Sequence, residues 1–109
     1  MRIEAQPLTP AAFAPFGDVL SAPGELGRIY YSDALATLRP HARPSLSVAH
    51  IAPASAFPLR AERMERHEFS SQTFVPIDVS RYLVLVAPKS ASGRPDASRA
   101  RAFLAGPGQ

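Results

Sequence analysis

Cysteine is absent from the chain, which excludes disulfides, thiolate metal sites and cysteine nucleophiles. Lysine is nearly absent: Lys89 stands alone, and arginine carries the positive charge. A formal net charge of +3 and a pI near 10.0 would suit a nucleic-acid partner. The arginines at 2, 28, 39, 43, 60, 63, 66, 81, 94, 99 and 101 are scattered, however. They form no basic tail and no alternating basic and aromatic stripe, so no nucleic-acid partner is expected. Arginine suits small carboxylate or ureido ligands equally well, because its planar fork pairs bidentately with a carboxylate. Long apolar runs are missing as well. None reaches the ~18 residues of a membrane span, and Met1–Pro7 lacks a basic-then-apolar leader pattern. The expectation is a cytoplasmic protein with no membrane partner.

What is present bounds the fold. The 109 residues suffice for a single domain, 1–109. A hydrophobic share of 46% against 19% charged allows a core and argues against compositional disorder. Twelve prolines and six glycines disfavour long helices and favour short strands joined by turns, since proline removes a ladder donor.

Along the chain, Ile3–Gln6 reads as a strand closed by Pro7. Thr9 and Pro10 form a helix start, with Thr9 as N-cap and Pro10 in the first helical position; Pro15 and Gly17 limit that helix to a turn or two. Asp18–Leu20 and Arg28–Tyr31 are extended candidates, and residues 32–35 offer a weak helical turn. Residues 45–51 alternate, with Leu46 and Val48 on one face. Segments 63–69 and 72–76 read as neighbouring strands, and 81–87 as the strongest strand, apolar enough to be buried on both faces. Residues 89–95 are a turn, and 96–104 another strand or helical turn. The fold class is therefore all-β, an antiparallel barrel or sandwich with one or two short helices near the N-terminus. About five strands are too few for a closed barrel of roughly eight, so the barrel is expected to be incomplete.

The chemistry concentrates in Glu65-Arg66-His67 with Gln72. In an extended segment, residues 65 and 67 share a face. After a hairpin, Gln72 and Phe74 would return beside them. A carboxylate, an imidazole and an amide would then line one pocket, able to move a proton or hold a divalent metal.

The run Glu65-Arg66-His67-Glu68-Phe69-Ser70-Ser71-Gln72-Thr73-Phe74-Val75-Pro76 resembles the signature of the ureidoglycolate lyase family, in which Glu-Arg-His is followed by Gln-x-Phe-x-Pro. Three further stretches agree in order and spacing: Pro7–Val19, the apolar strand 82–87, and Pro95-Asp96 before Arg101-Ala102-Phe103. The resemblance implies a cupin-like β fold, a homodimer, and cleavage of ureidoglycolate to glyoxylate and urea in allantoin and purine breakdown. It also implies His67 and Glu65 as catalytic residues, with Arg66, Gln72 and Phe74 binding substrate. The spacing is similar to the cupin metal motif His-x-His-x4-Glu. Glu65, His67 and Gln72 would then be metal ligands, nickel being the expected ion, though Glu and Gln bind more weakly than the histidines they replace.

Two stretches depart from the family pattern. The family continues past a Gly-Gln like Gly108-Gln109 into a histidine-rich segment, so the C-terminal strands are expected to be missing. Tyr30–Leu35 and Pro40–Ser45 stand where the family has Asn-x-Gly and Tyr/Phe-His-Asp-Leu, a difference that suits a subgroup with another substrate. A non-catalytic cupin-like module, or a binder of small ureido acids or carboxylates, is the alternative function. The plainer readings of the same residues are a solvated His67, a surface ion pair at 65–66, a turn-proximal amide at Gln72, and an edge position for His50. Phe13, Phe16, Phe74, Tyr82 and Phe103 are the expected core aromatics.

Overall fold

The computed structural model describes residues 1–31, 35, 37–54 and 56–109. Strand β1 (Ala5–Pro7) leads into helix α1 (Pro10–Phe13). After a long stretch of turns and extended chain come β2 (Tyr82–Val86), a 3-10 turn (Ala97–Arg99) and β3 (Arg101–Ala105). The three strands form one sheet in the order β1-β3-β2. β1 runs parallel to β3, with Gln6 opposite Phe103. β2 runs antiparallel to it, with Val84 opposite Phe103. The sheet is therefore mixed, where a purely antiparallel one was expected. Both extended N-terminal and C-terminal segments lie on one sheet, which an alternation pattern read along the chain does not reveal.

Local chemistry explains each element. Thr9 is extended, and its hydroxyl accepts a hydrogen bond from Ala12 N at 3.2 Å, while Pro10 fills the first helical position. Pro7 sits within β1, one residue past the expected strand end. It is tolerated because β1 is an edge, where a missing N–H costs no ladder bond. Leu8 N then donates to Leu104 O at 3.1 Å. Segment 96–104, expected to be either a strand or a helical turn, is a 3-10 turn followed by a strand. Asp96 caps that turn by accepting from Ser98 N at 3.1 Å and from Arg99 Nε at 2.8 Å.

The core lies where α1 covers β3. Phe103 is fully buried, and Val19, Ala102 and Ala105 are the other buried apolar side chains among the described residues. The Phe103 ring meets Phe13 edge-on, 5.3 Å between centroids, and Phe16 at 6.1 Å, both favourable geometries. The strand expected to be buried on both faces, 81–87, is instead an edge: Leu83 is 40% exposed. Central place falls to β3, whose short apolar run is less conspicuous in the sequence. Phe74, expected in the core, is 58% exposed and touches Tyr82 at 6.3 Å between centroids.

The extended candidates 18–20, 28–31, 45–51, 63–69 and 72–76 form no named strand among the described residues. Thr37 and Ser70 make one antiparallel bridge, supported by Leu38 N donating to Phe69 O at 2.6 Å. Alternating side chains specify a strand only where a neighbour offers matching N–H and C=O groups. Leu46 is 97% exposed, and Val48, Ile51 and Ile77 are exposed with it. The radius of gyration, 15.3 Å, exceeds the roughly 13 Å of a compact chain this long, as fits a small core carrying extended segments. The expected helical turn at 32–35 lies, but for Leu35, outside the described residues. Among the described residues, no helix is long and apolar enough to cross a membrane.

Candidate functional site

Two clefts meet at the Glu65–Phe69 segment. The first, about 230 Å³, is lined by Thr37, Arg39, Arg66, His67, Phe69 and Ser70, among others. The second, about 380 Å³, sets Glu65, Arg66 and His67 against Phe16 and the end of β2, Leu85–Pro88. Arg66 and His67 belong to both. Three stretches distant in sequence thus converge on one histidine: the turn after α1, the charged signature and the end of β2. Both clefts are open, and their volumes are at or below the lower end of the ~300–1,000 Å³ typical of ligand pockets. They suit a small ligand.

Glu65 and His67 meet through their side chains, Glu65 Oε2 lying 3.5 Å from His67 Nε2. That separation is long for a hydrogen bond, but catalytic contacts in ligand-free sites are often long and tighten with substrate. Arg66 points the other way. Its Nη2 lies 3.0 Å from Glu68 Oε1, and its Nη1 donates to Gly93 O. Gly93, at φ 80°, adopts the left-handed conformation that glycine takes without strain. Its turn is closed by Gly93 N donating to Ser90 O at 3.0 Å. Arg66 therefore ties the signature to the turn between β2 and β3. The hairpin expected to bring Gln72 and Phe74 beside Glu65 and His67 is replaced by the Thr37–Ser70 bridge, and both residues lie outside the linings of the two clefts.

The donor set decides how a metal fits. Glu65 and His67 are adjacent, but among the described residues no group of three or more His, Asp or Glu side chains converges as a metal site. Gln72, the expected third ligand, does not line a cleft with them. Two donors fall short of the three protein ligands of a typical transition-metal site, so the described residues do not by themselves fit a nickel ion.

The family model described as ureidoglycolate lyase matches residues 1–109. The chain belongs to the ureidoglycolate lyase family. Among its relatives, a putative ureidoglycolate lyase of Agrobacterium fabrum is 37% identical over 107 residues, covering 98% of this chain and 65% of its own length. A ureidoglycolate lyase of Chelativorans sp. is 40% identical over 117 residues, covering 99% of this chain and 68% of its own length. One from Mesorhizobium japonicum is 37% identical over 117 residues, covering 99% and 69%. The chain thus spans about two thirds of the length of the curated relatives it matches. No solved structure matches.

Three of the family-like stretches have a structural explanation here, 82–87 as β2 paired with β3. Pro7–Val19 supplies Phe13 and Phe16, and Pro95–Phe103 supplies the Asp96 cap and Phe103. Glu65 and His67 have no such role: both are exposed and hold no core. Arg39 is the cleft residue that sequence reasoning passed over. It lies in a segment with little periodicity, and only the Thr37–Ser70 bridge carries it to the signature.

Proposed function

We propose that this chain serves a ureidoglycolate lyase reaction, releasing glyoxylate and urea from ureidoglycolate in allantoin and purine breakdown. The observation that carries this reading is the Glu65–His67 pair, 3.5 Å apart on a cleft wall shared with Arg66, in a chain of this family.

Ureidoglycolate bears a hydroxyl and a ureido nitrogen on one carbon. Cleavage requires that the hydroxyl lose its proton as C=O forms, while the C–N bond breaks and the departing nitrogen gains a proton. Substrate and products balance without a co-reactant. His67 is assigned the proton transfer, because an imidazole both accepts and donates near neutrality. Glu65 orients the imidazole and stabilises its charged form. Arg66, on the same wall, offers its remaining donors to substrate oxygens. Gln72 and Phe74, displaced from both clefts, would reach substrate only if the 70–76 segment closed over it. A nickel ion would need a donor in addition to Glu65 and His67, so no proton step is assigned to it. Residues 1–109 are read as one cupin-like domain acting as a homodimer, a reading supported by the exposed alternating segments that call for further strand partners.

The deciding experiment is glyoxylate release from racemic ureidoglycolate, with and without added nickel, by wild type and His67→Ala. Release that is lost with His67 supports the lyase reading. Full turnover in His67→Ala removes the histidine from the mechanism. No release from a folded wild-type chain favours a carboxylate-binding module instead.

A further inference from the structure

Arg39 lies outside every motif of the sequence, yet it occupies a defined place in the first cleft. The bridge between Thr37 and Ser70, with Leu38 N donating to Phe69 O at 2.6 Å, lays residues 37–39 alongside 68–70. That register sets the Arg39 guanidinium over the Phe69 ring, 4.2 Å from its centroid. Stacking of this kind orients the planar fork and covers one of its faces, while the N–H groups along its edge stay available. Backbone contacts fix the turn further: Arg39 N donates to the Thr37 hydroxyl at 3.3 Å, and Ala42 N donates to Arg39 O at 3.1 Å.

The two arginines of this cleft differ in what already occupies them. Arg66 is engaged by Glu68 and by the Gly93 carbonyl. Arg39 has no carboxylate partner among the described residues, whereas Arg60, Arg66 and Arg99 each have one. The same cleft presents the Thr37 and Ser70 side chains and reaches His67. Among the described residues that line it, two guanidinium groups stand against the single carboxylate of Glu68, an excess of positive charge. A stacked arginine with no carboxylate partner among the described residues, in a cleft that an imidazole also lines, suits a planar carboxylate attached to the atom on which the imidazole acts.

We propose that Arg39 anchors the carboxylate of a small α-substituted acid in this cleft, and that Arg66 acts mainly as a positioning residue tying the signature to the turn at Gly93. This rests on the lyase reading for the identity of the acid, but not for the binding itself. Arg39 then determines specificity for acids over their neutral counterparts, while His67 faces the carbon next to the carboxylate.

The test separates the two claims. Binding of oxamate, a small carboxylate, and of oxamide, its neutral counterpart, is measured by calorimetry on the full chain. Wild type, Arg39→Met, Arg39→Lys, Arg66→Met and the distant control Arg60→Met are compared, with circular dichroism confirming the fold of each. Oxamate affinity is expected to fall by about tenfold or more in Arg39→Met, the size of a lost charge-assisted pair. Arg39→Lys recovers it in part, and oxamide binding does not respond to either change. With ureidoglycolate, Arg39→Met raises KM with kcat nearly unchanged, the pattern of lost uniform binding. Wild type that binds oxamate no better than oxamide overturns the proposal. So does a loss that follows Arg66→Met while Arg39→Met keeps wild-type affinity. If ureidoglycolate is not turned over but oxamate binding still depends on Arg39, the lyase reading fails and the carboxylate site stands.

Discussion

At the scale of single residues, exposure separates the groups that serve the fold from those free for chemistry. His67 and Glu65 are more solvent-exposed than a core role requires; the Glu65 side chain is 83% exposed. Their contact therefore adds little stability, as is usual for surface ion pairs. Replacing either should leave the fold intact and change catalysis. His67→Ala is expected to lower kcat by roughly 10²–10⁴, the usual worth of a general acid–base group, with an unchanged denaturation midpoint. Glu65→Gln keeps the shape and removes the charge, so it should lower kcat less than His67→Ala does. Steady-state glyoxylate release checks both. An equal loss of stability and rate in either variant would assign the pair to structure.

Among the elements, the 3-10 turn and β3 carry the clearest energetic consequences. The Ser98 hydrogen bonds hold the Asp96 carboxyl below its ordinary value of 3.8, and the Arg99 guanidinium adds to that effect. A lowered folded value means that folding favours the ionised form. The stability this contributes is present above the unfolded value and is lost as pH falls through the folded one. Asp96→Asn should therefore be less stable than wild type near neutrality, and the difference should shrink below about pH 4. Denaturant titrations at both pH values measure it; a gap that persists in acid would sink the charge argument. In β3, Phe103→Ala removes the one large side chain that is fully buried among the described residues. Such truncations cost about 3–5 kcal/mol, a large share of the stability of so small a domain. Phe103→Leu, which keeps most of the volume, should unfold at intermediate denaturant. Thr9→Ala loses only a cap, about 1 kcal/mol.

The whole molecule pairs a small core with a large exposed apolar surface. Leu46, Val48, Ile51, Val75 and Ile77 are mostly exposed, and β1 and β2 are both open edges. Surfaces of this kind promote association. Sedimentation of the chain at micromolar concentration is expected to show a dimer, with Leu46→Ser and Val48→Thr together shifting it toward monomer. A stable monomer of wild type would count against the homodimer. The clefts lie between segments that are tied together by few hydrogen bonds, so bound oxamate should slow proteolysis within 60–75.

Much of this was legible from residue chemistry alone. Thr9 and Pro10 start a helix, 89–95 turns, and most of 81–87 is extended, because capping, turn geometry and β propensity act within a few residues. The Glu65–His67 contact was also legible, since side chains two residues apart can meet without a distant partner. Tertiary contacts decided the rest. A one-sided ladder made β2 an edge despite its unbroken apolar run, and pairing on both sides put β3 at the centre. Gln72 and Phe74 lie outside both clefts that His67 lines, and Ser70 pairs with Thr37. The same pairing brought Arg39, silent in the sequence, onto Phe69. Local chemistry fixes which conformations a segment prefers, but its neighbours across the chain determine which of its side chains meet.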